Sequence, residues 1–111
     1  MRLNTVVHAA SHLIERHPVP PEGVVQGHPH TGWASLGMFG GLEVGVWEMT
    51  PGVTRDVEVD EVFVVLSGAA TVEFTNGTAP LTLGPGDVAR LGVGAHTVWT
   101  VTETLRKVYL S

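Results

Sequence analysis

From Leu42 to its end, turn-forming residues cut this chain into apolar segments of only three to eight residues. That spacing is too tight for packed helices and matches short strands joined by turns. "LEVGVWEM" (Leu42–Met49) is the first clear strand, and "TPG" at 50–52 ends it. "TRDVEVD" alternates, placing Val57 and Val59 on one face and Asp56, Glu58 and Asp60 on the other. "VFVVLS" is continuously apolar, which predicts burial on both faces. Gly68 is expected to turn the chain into "ATVEF", and Asn76-Gly77 marks a hairpin. "LTL", the tight turn "GPGD", "VARL", "TVWTV" and "TLRKVYL" complete an all-β barrel or sandwich.

The first forty residues are less regular, and two readings stay open. Val6, Val7, Ala10, Leu13 and Ile14 would share one face of a short helix. "TVV" at 5–7 would equally serve as an edge strand followed by a helical turn. "HPVPPEG" at 17–23 is excluded from regular structure by its prolines. The segment is expected to lie across the barrel or a partner subunit.

At 111 residues the chain is long enough for one core, read as a single domain with an arm at 1–26 and a barrel at 27–111. A formal net charge of -5, with no Lys/Arg cluster, argues against nucleic acid as a partner. There is no Cys, hence no disulfide, thiolate metal ligand or thiol nucleophile. No stretch approaches a membrane span, and polar residues interrupt any signal-like apolar run, so a cytoplasmic protein is expected. Gly52, Gly68, Gly86 and Gly94 are read as backbone devices rather than site residues.

Two segments carry a resemblance. "PG…DEVFVVLSG.ATVEF" and "L.PGDVARLGVGAHTVW" resemble the two cupin motifs, in order and spacing. Glu61, six residues and Gly68 match the second half of the first motif. Gly86, five residues, then Gly92, Val93 and Gly94 match the frame of the second, with Gly92 in place of its Pro. The adjoining "GVWEMTPG" and "TVWTVTETLRKVYL" are similar to small single-domain cupins of the ureidoglycine aminohydrolase and ethanolamine-utilisation group. The resemblance implies a jelly-roll β-barrel, a homodimer, and a small-molecule ligand that is amide- or ureide-like. It also implies a divalent metal held by two His and a Glu from the first motif and a His from the second. Here Glu61 keeps its place. The motif-1 His positions fall on Thr54 and Asp56, or on Arg55 and Val57, and the motif-2 His position falls on Thr97. The usual histidines are therefore absent, and Asp56, Glu61 and His96 remain as candidate ligands.

Glu61 is the leading candidate for a catalytic acid or base. A carboxylate on an inward strand must be hydrogen-bonded, paired or neutral. Its candidate cations are Arg55, Arg90, Arg106 and Lys107, and a salt bridge at the barrel mouth is the alternative role. Period two places Phe63 and Val65 inward with it, and sets Thr97 and Trp99 on one face of the penultimate segment. Phe63, Thr97, Trp99, Lys107 and His96 are the candidate ligand-binding residues. An exposed strand charge is the competing reading for Lys107, and rim exposure for His96. His28 and His30 read as a solvated loop, and His8, His12 and His17 carry no role. Three functions stay open: a binder or enzyme for a small polar metabolite, a metal enzyme with an altered ligand set, and a non-catalytic module whose barrel is filled by its own side chains.

Overall fold

The computed structural model describes all of residues 1–111. Nine strands form one curled sheet: β1 (His17–Pro18), β2 (Val24–Gln26), β3 (His30–Phe39), β4 (Leu42–Met49), β5 (Gly52–Val57), β6 (Glu61–Phe74), β7 (Leu81–Leu83), β8 (Val88–Leu91) and β9 (His96–Leu110). The only helix is a 3-10 turn at Pro21–Gly23. The chain is a single all-β domain, and no helix is long and apolar enough to cross a membrane.

β9 is the spine. Its first half pairs with β5, from Val57↔His96 to Gly52↔Val101, and its second half pairs with β4, from Met49↔Leu105 to Val44↔Leu110. Its other edge pairs with β6 along nearly its whole length. Two partners on one edge and a single long partner on the other bend the sheet around an inner face. That face holds the core: Met49, Phe63, Val65, Val72, Val101 and Leu105 are all at most 3% exposed.

Several expectations change. β6 does not end at Gly68 but runs through it, with the register to β9 shifting on both sides. Gly68 has φ +91°, and a Cβ there would lie 2.1 Å from the Thr104 carbonyl oxygen. It is a bulge that lets two backbones approach, not a turn. "VFVVLS" is buried on one face only. Phe63 and Val65 point inward while Val62 reaches solvent, because antiparallel partners leave the outer face of β6 open. "TVWTV" and "TLRKVYL" form one strand rather than two.

The first forty residues contain β3, which Gly32, Gly37 and Ser35 hide from a propensity reading. Neither the helix nor the "TVV" strand forms. The edge strands are β1 and β2 instead, and "HPVPPEG" supplies β1 and the 3-10 turn. Proline is tolerated there because β1 is an edge strand and Pro21 opens the helical turn. The arm lies across its own sheet. Arg106 donates to the carbonyls of Ala9 at 2.9 Å and His12 at 2.7 Å, and the Glu15 carbonyl sits over Gly32, where a Cβ would clash at 2.1 Å.

Candidate functional site

The inner face opens into a cavity of about 430 Å³. Its floor is an ion pair. Lys107 Nζ donates to Glu61 Oε2 at 3.2 Å, and the two side chains are 5% and 11% exposed. Glu61 heads β6, Lys107 sits on the second half of β9, and the β6–β9 pairing brings them together. The competing reading of Lys107 as an exposed strand charge does not hold. Period two along β9 turns it inward with Leu105 and Tyr109, and Glu61 satisfies its charge. Of the four candidate cations, Lys107 is the one that pairs with Glu61; Arg106 faces outward and binds Glu48.

Three rings enclose the ammonium. Lys107 Nζ lies 4.2 Å from the Phe63 ring centroid, 4.6 Å from Trp47 and 5.0 Å from Trp99. All are within cation–π range. The Trp99 ring packs against Trp47 and Phe63 with centroids 5.9 and 6.0 Å apart. Burial pushes the Glu61 carboxyl above its ordinary value, and Lys107 pulls it back. Burial pushes the Lys107 ammonium below its ordinary value, and Glu61 opposes that most strongly. Both shifts narrow the difference in proton affinity between the amine and the carboxylate.

Glu58 is a site residue that sequence pattern alone does not single out. It is 7% exposed, whereas Val57 and Val59 beside it are 54% and 56% exposed. Its Oε2 accepts from Thr97 Oγ1 at 2.5 Å and from Trp99 Nε1 at 2.9 Å. The alternation in "DVEVD" carries the signal, but of its acidic residues the chain buries Glu58 alone, and it exposes both valines. Asp56, two residues back on β5, also lines the cavity, and its pKa is raised by burial and by the neighbouring Glu58 charge. At the far end the Tyr109 hydroxyl donates to Glu43, and its pKa is raised by burial and by that bond. Trp33, opposite Trp47 in the β3–β4 register, stands at the mouth and is 65% exposed.

Thr97, Phe63 and Trp99 are inward, where the sequence places them, and Trp99 and Lys107 both line the cavity. His96 is not brought in. It is exposed on the opposite face of β9, beside Thr75 and Arg55 in a second groove. The strand stays regular from His96 onward, so the one-residue offset from Thr97 holds.

A cupin metal does not fit this donor set. The inward residues at the ligand positions are Thr54, Asp56, Glu61 and Thr97. They include no imidazole, Thr97 is committed to Glu58, and an ammonium already sits against Glu61. No three His, Cys, Asp or Glu side chains cluster closely enough to hold an ion. The set Asp56, Glu61 and His96 is therefore not assembled. A barrel filled by its own side chains is not what forms either, because the cavity adjoins Glu61.

The fold and this inner pocket define a small cupin. Residues 37–109 match the EutQ-like cupin domain, and the chain belongs to that family. Among solved structures it is similar to a DUF861-family protein of unknown function from Pseudomonas syringae pv. tomato, at 26% identity and TM-score 0.76. That match covers 90% of this chain and 44% of the other, so the chain spans less than half of that protein's length. It is also similar to the EutQ protein of Clostridium difficile, at 16% identity and TM-score 0.63, covering 74% of this chain and 67% of that one. A chain from crystal structures of DMSP lyases matches at 21% identity and TM-score 0.61, covering 72% of this chain and 46% of that one. No curated protein matches. The cupin fold family thus includes enzymes as well as EutQ.

Proposed function

We propose that this protein is a cytoplasmic cupin that binds a small, polar, N–H-bearing metabolite of amide- or ureide-like chemistry in the cavity around Glu61 and Trp99. One observation carries the reading: a buried Glu61–Lys107 pair is exposed to a cavity rather than sealed in the core. A purely structural ion pair of this burial gains little over apolar packing. Beside a cavity it supplies an acceptor and a donor to a bound molecule. The flat amide group suits the tryptophan walls, and its N–H groups suit the carboxylates. The analogy with ureidoglycine aminohydrolase is one of fold alone. If the ligand turns over, Glu61 is the group placed to move a proton as acid or base.

Glu61→Gln tests this reading. The amide keeps the size of the side chain and loses the negative charge. Urea, acetamide and N-carbamoylglycine serve as probes, followed through the Trp99 indole N–H signal by NMR, with affinities of roughly millimolar expected for such small molecules. Wild type shifts on titration, and the variant, folded by circular dichroism, does not. Equal binding by both refutes the role of Glu61. We also propose a homodimer that buries the open outer face of the sheet. Leu42, Val62 and Val88 leave an apolar row exposed there, one that a second copy would cover.

A further inference from the structure

The cavity wall is unbalanced in charge. Four carboxylates line it, from Glu43, Asp56, Glu58 and Glu61, against the single ammonium of Lys107. Two of the four have a partner inside the protein: Glu61 pairs with Lys107, and Glu43 accepts the Tyr109 hydroxyl. Asp56 and Glu58 make no salt bridge, and only the more distant charge of Lys107, itself paired with Glu61, acts on them. Asp56 Oδ1 accepts only the Val57 backbone N–H, at 2.8 Å. Glu58 Oε2 takes two neutral donors and its Oε1 takes none, although the residue is more than nine-tenths buried. A carboxylate this deep is expected to be paired with a positive charge.

We propose that the amide- or ureide-like ligand of this cavity also carries a positive charge, as a protonated amine or an amidinium, held between Asp56 and Glu58 with the exposed Trp33 indole closing over it. The inference rests on the cavity being a small-molecule site, and it assigns the charge of what binds there. Thr97 and Trp99 hold one edge of the Glu58 carboxylate in place, so its free edge is preorganised to accept from a ligand N–H. Asp56 and Glu58 lie two apart on one face of the chain and repel each other, a repulsion that a cation between them relieves. Trp33 is the cavity aromatic with an open ring face; Trp47 and Trp99 are already occupied by Lys107. The charge of Lys107 reaches Asp56 and Glu58, but Glu61 is its nearest and strongest partner, so the four carboxylates still outweigh it. An anion would meet uncompensated carboxylates, and a ligand with an amide group but no charge would leave both without a counter-ion. The volume of about 430 Å³ falls within the roughly 300–1,000 Å³ of small-ligand sites.

Three probes of matched size separate the possibilities: n-butylamine, which is cationic at neutral pH, butanamide and butyrate. Binding to wild type, Asp56→Asn and Glu58→Gln is followed by calorimetry and by the indole N–H signals of Trp33 and Trp99. The amine is expected to bind at least about tenfold more tightly than the amide, with butyrate weakest and each variant losing about tenfold for the amine alone. Asp56 is exposed to solvent at the cavity wall, so Asp56→Asn keeps the test open should Glu58→Gln fail to fold. If the amide or butyrate binds as tightly as the amine, or Asp56→Asn leaves amine affinity unchanged, the charge assignment falls while the cavity remains a ligand site. If none of the three moves either indole signal, both readings fall.

Discussion

Replacing Lys107 with Met removes the buried ammonium and keeps most of the stem that packs under Trp47, Phe63 and Trp99. Lys107 supplies both influences that hold the Glu61 pKa down. Those that remain, burial and the charges of Glu58 and Asp56, all disfavour its ionised form. Glu61 is therefore expected to take up a proton in the folded variant. In the unfolded chain it ionises near its ordinary value of about 4.3, so holding it protonated costs at most about 4 kcal/mol at pH 7 and about 1 kcal/mol at pH 5. The larger figure agrees with the roughly 3–5 kcal/mol found on breaking a buried pair from one side. The folded pKa is raised above the unfolded one. The stability it contributes is thus complete below the unfolded value and is lost as pH rises through the folded value. In wild type Lys107 opposes this, so the gap between the two proteins widens from pH 5 to pH 7. The lost cation–π contacts and the relieved desolvation of the ammonium oppose each other and stay constant over this range. Equilibrium urea unfolding, followed by tryptophan fluorescence at both pH values, measures the gap. It should grow by about 2–3 kcal/mol between them, and adding Glu61→Gln should abolish the growth. An equal loss at both pH values, or growth that survives Glu61→Gln, refutes the account of Glu61 as held ionised by Lys107.

Tyr109 is the chain's only tyrosine, so its ionisation is read without ambiguity. Burial and the bond to Glu43 raise its pKa, so folded protein at about pH 11 should show little tyrosinate absorbance and urea-unfolded protein nearly all of it. Since the folded pKa lies above the unfolded one, this group's contribution to stability is lost as pH climbs past about 10; a normal titration in the folded protein would mean that the Glu43 bond does not form in solution. Sedimentation equilibrium at micromolar concentration should show a dimer that Val62→Asp converts to a monomer; a monomeric wild type ends the proposal of an outer-face interface.

Much of the barrel is legible in the local pattern. Strands from Leu42 onward follow from turn residues and alternation, and the Glu61 to Gly68 spacing together with the glycine frame before Thr97 points to the cupin fold. The inward set of Glu61, Phe63, Thr97 and Trp99 follows too, because period two ties each residue to its neighbours on the same strand. β3 was not legible, since its small residues serve close packing under the arm rather than strand propensity. Gly68 reads locally as a turn, because a positive φ serves a turn and a bulge equally well.

The partners of each carboxylate lay beyond the reach of sequence. Four cations were compatible with Glu61, and only the β6–β9 register selects Lys107. Glu58 was equally hidden. Two flanking valines suggest a core face on the other side of the strand, yet the curl of the sheet turns Glu58 toward Thr97 and Trp99 and leaves the valines in solvent. By itself the sequence determined which residues share a face of a strand, since that depends only on backbone period. Tertiary structure alone decided which faces enclose the cavity and which charges meet there, since both depend on pairings between residues dozens of positions apart.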